Sequence, residues 1–157
     1  MRYTSAKSRQ AYTFDAELEM KDAGLVAADA AWTVDGAAAS AIIDVGTGRV
    51  DGKVIVDVSA IEIATGDERY SLLIQGSNSS SFASGVVILA CLPVGDGSTI
   101  ASAFGSSGVD VDDTTGRFEI PFSNERNNTY YRYVRGWTDV AGTVATGINF
   151  SAYMVKN

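Results

Sequence analysis

The sequence predicts an all-β fold, a single antiparallel β-sandwich, and three observations carry that prediction. Apolar residues recur with a period of two in segment after segment, which is the period of a strand. Gly, Asp, Asn and Ser separate those segments and supply the positive φ values and local hydrogen bonds that turns need. No stretch carries a convincing apolar stripe at helical spacing.

The first element is Phe14 to Met20, Phe-Asp-Ala-Glu-Leu-Glu-Met, where apolar and acidic residues alternate strictly. It stands behind a basic segment containing Arg2, Lys7 and Arg9, so the chain divides into an arm over residues 1–13 and a sandwich domain over residues 14–157. A strand so near the start can add to a sheet edge, its own or a neighbour's. Leu25 to Ala31 is Ala-rich and is expected to form at most one short turn of helix. Ala41 to Val45, Lys53 to Ile63 and Arg69 to Gln75 follow as strands, with turns at Gly46 to Gly52 and Thr65-Gly66-Asp67.

Val86 to Leu92 has no polar face, as expected of a strand covered on both sides or central in the sandwich. Cys91 within it reads as a small buried hydrophobe. In Phe118 to Phe122 the aromatics and Ile120 share one face and Glu119 and Pro121 the other. Proline cannot donate to a ladder, so this strand belongs at an edge. Tyr130 to Trp137 and Thr143 to Val155 complete the series. With about eight or nine strands and irregularly spaced turns, closure into two packed sheets, a sandwich or jelly roll, limits exposed edges. An immunoglobulin fold would need a Cys pair, and the chain has a single cysteine.

At 157 residues the chain fits one domain, long enough to bury roughly 70% of its unfolded surface. Hydrophobic residues make up 46% and charged residues 20%, too apolar a balance for disorder. The longest apolar run, Val86 to Val94, is too short to span a bilayer as a helix. The first residues lack the apolar core of a secretory signal, and the expectation is a protein made and kept in a cytoplasm. Three of the 12 basic residues precede the first acid, which leaves 9 basic against 19 acidic groups, a net of −10, for the remainder. A body that acidic argues against nucleic acid as a partner.

Histidine is absent, which removes the commonest general base and the commonest zinc ligand. Asp15, Glu17 and Glu19 fall on one predicted strand face and could in principle flank a glycosidic bond, although any solvated strand face has the same spacing. Asp110 to Gly116 hints at a calcium loop but lacks the Gly at its sixth position and the Glu at its twelfth, and a hairpin turn is the favoured explanation of the same residues. Gly46-Thr47-Gly48 lacks the spacing and lysine of a phosphate-binding loop. The sequence therefore nominates no catalytic residue, metal ligand or cofactor.

Asn127 to Trp137 combines Tyr, Arg and Trp, the residue types enriched in interface hot spots. Alternation places Tyr131, Tyr133, Arg135 and Trp137 on one face and Tyr130, Arg132 and Val134 on the other, so one face is expected to end at water or a partner. Candidate partner-binding residues are Tyr130, Arg132 and Trp137 here, and Tyr3, Arg9, Tyr12 and Phe14 in the arm and first strand. Rings such as Tyr130, Tyr133 and Trp137 could also stack on a sugar, as in a carbohydrate-binding module.

Phe14-Asp15-Ala16-Glu17-Leu18 with Asp22-Ala23, Ile43-Asp44-Val45-Gly46, Leu72 to Ser77 before a Ser-rich loop ending at Phe82, and the closing strand Phe150 to Val155 together resemble the jelly-roll capsid cement, or decoration, proteins of tailed double-stranded DNA bacteriophages. The likeness runs from about Tyr12 to the C-terminus. It does not extend to the aromatic run Tyr130 to Tyr133 or to the segment Gly97 to Asp113. The resemblance implies a jelly-roll sandwich that sits outside a phage head as a symmetric oligomer and clamps subunits of the major capsid protein. A dimer is expected over a trimer, with no enzymatic activity and no membrane partner; the alternative is a carbohydrate-binding β-sandwich module of a phage tail or fibre.

Overall fold

The computed structural model describes residues 16–36, 39–96 and 114–156. The chain adopts the all-β sandwich that the sequence predicts, two antiparallel sheets packed against each other. The strands are β1 (Glu19–Lys21), β2 (Leu25–Val26), β3 (Ala30–Ala31), β4 (Ile42–Asp44), β5 (Asp51–Ile61), β6 (Arg69–Ser77), β7 (Val87–Gly95), β8 (Gly116–Ser123), β9 (Glu125–Arg126), β10 (Thr129–Tyr130), β11 (Tyr133–Ala141) and β12 (Ile148–Lys156). The first sheet runs β1-β12-β5-β8, with β2 also on β12; the second runs β3-β11-β6-β7, with β4 also on β11. β9 and β10 form a separate two-stranded hairpin.

The core lies between the sheets. Val54, Val56, Val58, Ile120, Phe122, Phe150 and Met154 from the first sheet meet Tyr70, Leu72, Ile74, Val94 and Val134 from the second, all buried. Alternation along β6 and β12 is nearly unbroken, so each strand turns every second residue inward, as the period of two requires. Among the described residues β8 is an edge strand bonded to β5 alone, and Pro121 is exposed on its outer face opposite Lys53, as the sequence predicts.

Three expectations are corrected. Phe14 and Asp15 lie outside the described residues, and the rest of the predicted first strand is split between a 3₁₀ turn, Ala16–Leu18, and the short β1. Glu17 and Glu19 therefore do not share a strand face. Leu25 to Ala31 holds no helix but the two short strands β2 and β3, because each finds a ladder partner on β12 or β11 that outweighs alanine's helix preference. The apolar run Val86 to Leu92 is not central: among the described residues β7 is an edge strand, Ile88 is 46% exposed, and Cys91 is exposed rather than buried.

Lys21 repairs the gap between β1 and β2. The ladder to β12 is interrupted there, and the Lys21 Nζ donates to the backbone carbonyls of Phe150 (3.0 Å), Asp22 (2.8 Å) and Gly24 (2.9 Å). Asn149 Oδ1 accepts the Gly24 N–H beside it. The ammonium also lies 4.5 Å from the centre of the Phe150 ring, and burial brings its pKa down to about 8.

At one end of the sandwich, two loops are tied down by carboxylates. Glu62 accepts the backbone N–H groups of Ala145, Thr146 and Gly147 at 3.0, 2.6 and 2.7 Å. Glu68, itself fully buried, accepts those of Thr65, Gly66 and Asp67. Asp67 accepts the N–H and hydroxyl of Thr143, joining the two loops. Bonds from Gly147 and its neighbours hold the Glu62 carboxyl below its ordinary range, and those from Thr143 do the same for Asp67. Burial pushes Glu68 up, but its backbone N–H bonds outweigh burial and leave it lowered as well.

These groups fold as carboxylates, so the unfolded chain binds more protons at acid pH. The stability they add is complete above about pH 5 and is lost progressively as the pH falls through the lowered values. The melting temperature is expected to drop steeply below pH 5, and Glu62→Gln with Glu68→Gln should flatten that dependence while lowering the neutral-pH value. Thermal melts of both chains across pH 3 to 7 check this, and parallel profiles would refute the assignment.

Candidate functional site

The outward face of the second sheet carries the features that set this chain apart. Thr138, Gly136 and Val134 of β11 point into the core and are buried, which turns Tyr133, Arg135, Trp137 and Asp139 outward. Pairing across the sheet sets Trp137 beside Leu73 and Cys91, and Arg135 beside Gln75 and Ile88. Pro93 stands beside Ser71 and Asp139. An antiparallel sheet with one wet face normally alternates apolar-in and polar-out. Here the outer face has an apolar middle.

Arg135 organises that face. Its guanidinium lies 4.4 Å from the centre of the Phe82 ring and 5.1 Å from that of Trp137, and its Nε donates to Gln75 Oε1 at 2.9 Å. Phe82 is brought under it by the Ser-rich loop after β6, where Phe82 takes a left-handed φ of 56° and is 7% exposed. Ser77 shapes the start of that loop: its hydroxyl donates to the Ser84 carbonyl and accepts the Ser79 N–H. Burial lowers the Arg135 pKa. Cys91 on the same face is held above its ordinary value by partial burial and by nearby Asp139, which keeps most of the thiol protonated at neutral pH.

The predicted site residues divide between two places. Trp137 lies on this outer face, half-buried. Tyr130 and Arg132 lie instead at the end of the sandwich where β11 begins. Tyr130 is 45% exposed on the β9–β10 hairpin, whose turn residues Asn127 and Asn128 adopt φ of 52° and 60°, as a two-residue hairpin turn demands. Buried Asn124 fixes the base of that hairpin by accepting the Val50 N–H and donating to the Gly48 and Tyr131 carbonyls. Arg132 grips Asp44 with two guanidinium nitrogens at 3.0 and 2.8 Å. That fork is the main cause of the lowered Asp44 pKa. The chain enters β1 from this same end, since Glu19 pairs with Tyr153 near the finish of β12. Tyr3, Arg9, Tyr12 and Phe14 lie outside the described residues, as does most of the Asp110 to Gly116 segment.

An open groove of about 530 Å³ between β1, β2 and β3 is lined by residues that include Lys21, Asp22 and Asp29. Lys21 is committed to three carbonyls. Asp22 accepts the Asp35 N–H and Asp29 the Val140 N–H, so these acids serve as turn and edge acceptors. Glu19 is raised in pKa by burial and by the neighbouring Asp22 and Asp35. Among the described residues, no group of three or more Cys, Asp and Glu side chains is arranged to hold a metal ion. Arg135, Phe82 and the outward turn of β11 were not nominated as a unit by the sequence; the Ser-rich loop ending in Phe82 was the available signal.

No protein-family model matches the chain, and no curated protein matches it.

Proposed function

We propose that this chain is a structural assembly protein, a jelly-roll capsid cement that binds the outside of a phage head and bridges subunits of the major capsid protein. The observation that carries the reading is the outer face of the second sheet, apolar at its middle and built from the residue types that dominate protein interfaces. The strand order supports a jelly roll. Taking β1 with β2 and β3 with β4 as two interrupted strands leaves eight strands in two sheets of four, in which the first pairs with the last and the second with the last but one.

A sugar platform is the weaker reading. Stacking needs an open ring face, and Arg135 occupies the space between Phe82 and Trp137, while Arg132 lies 5.3 Å from the centre of the Tyr133 ring. Tyr130 stands apart on its hairpin.

Cement action follows from mass action: a protein that binds only the assembled lattice stabilises it, and repetition over many sites lets modest contacts suffice. Purified chain is expected to co-sediment with heads stripped of their decoration, saturating at a fixed ratio to the major capsid protein. Deleting residues 2–13, which removes Tyr3, Arg9 and Tyr12, should lower occupancy severalfold and leave the circular-dichroism spectrum of the sandwich intact. Failure to bind any shell would overturn the reading, and full occupancy after the deletion would remove the arm from it.

A further inference from the structure

We infer that the outer face of the second sheet seats a second copy of this chain, face to face, about a two-fold axis that lies in the interface and runs across the strands. This rests on the reading of that face as a protein interface, and it assigns the face to self-assembly and leaves other surfaces of the chain to meet a shell. Trp137, Leu73 and Cys91 pair in one row, and each is the middle residue of its nine-residue strand. Charge is distributed unevenly on either side of the row. Toward the start of β11 stand Arg126, Arg132 and Arg135 with Asp44; toward its finish stand Asp29 and Asp139 with Arg69.

An axis parallel to the strands would set cationic ends against cationic ends. An axis across the strands sets each cationic end on the other copy's anionic end, and this is the arrangement the charges favour. Arg135 and Asp139 stand two residues either side of Trp137 on one face, so each faces the other residue across the axis. The apolar middle, Leu73, Trp137 and Pro93, then closes between sheets about 10 Å apart, as in a sandwich core. An added strand at the β7 edge fits less well, because the Ile88 carbonyl there is already taken by the Arg126 guanidinium at 2.9 Å.

The same axis brings Cys91, the chain's single cysteine, opposite its counterpart. Light scattering of the purified full-length chain, without shells, is expected to give twice the 16.5 kDa chain mass. A short bis-maleimide should join two chains through Cys91, and Cys91→Ser should abolish the product. Asp139→Lys should weaken self-association about tenfold or more by setting like charges together, and Arg135→Glu in that background should restore some of it, with circular dichroism confirming the fold. A monomeric mass without crosslink overturns the inference, and so does a dimer indifferent to Asp139→Lys. A monomer that still decorates shells would leave the cement proposal standing, whereas a dimer that ignores them would remove the cement proposal alone.

Discussion

Gly136→Ala is expected to lower stability by about 3 kcal/mol, the upper end of the usual range for overpacking a core. A Cβ built on Gly136 would lie 1.9 Å from Trp32 Cε3 and 2.0 Å from Cδ2, well inside any contact that atoms tolerate. The ring cannot step aside. Its Nε1 donates to Thr138 Oγ1 at 2.8 Å, and it meets the Phe150 ring edge-on, with centroids 5.2 Å apart. The Trp32 backbone N–H is bonded to the Gly136 carbonyl itself, which holds the two residues together. Denaturant titration should show the midpoint falling with little change in slope. Because the cost is a clash with one side chain, Trp32→Leu should make Gly136→Ala far less harmful, and strict additivity of the two changes would refute the account.

Trp32→Ala is expected to cost about 3–5 kcal/mol, the range for emptying a fully buried aromatic site. Trp32 is 1% exposed, and its loss also strands the buried Thr138 hydroxyl. The effect should reach beyond the cavity. β3 is two residues long, and Trp32 ties its end to both sides by donating to Gly136 and accepting the Ala41 N–H ahead of β4. Hydrogen exchange should therefore show β3 and β4 losing protection before β5 or β12 do. Uniform loss across both sheets would mean that Trp32 supports the core generally and not this edge.

The sandwich was legible because period two survives wherever one face is buried and the other wet, as in β6, β8 and β12. Where that condition fails, so did the reading. Val86 to Leu92 is apolar on both faces although it is an edge, because its outer face belongs to the apolar middle of the second sheet. Phe14 to Met20 alternates in sequence, yet Ala16–Leu18 closes a 3₁₀ turn that alternation does not register. Trp137 could be nominated from residue type alone. Its setting could not, because Arg135 meets Phe82 from a loop distant in sequence, and the Trp32 contact to Thr138 joins residues 106 positions apart. Lys21, Glu62 and Glu68 look like ordinary surface charges in the sequence, and only the backbone groups that they bind give them a role.

β1 lies antiparallel beside β12, so it starts at the end where β12 finishes. Tension applied between the N-terminal segment and the end of β12 would act along the ladder bonds rather than across them, so these would open pair by pair, like a zipper. β1 offers only three residues of resistance. The last of them is Lys21, whose ammonium also holds the Phe150 carbonyl from inside the gap. An arm anchored elsewhere would thus act as a tether with a short, soft extension followed by a definite stop. On the cement proposal, a head that swells or strains would draw on that slack without unfolding the sandwich.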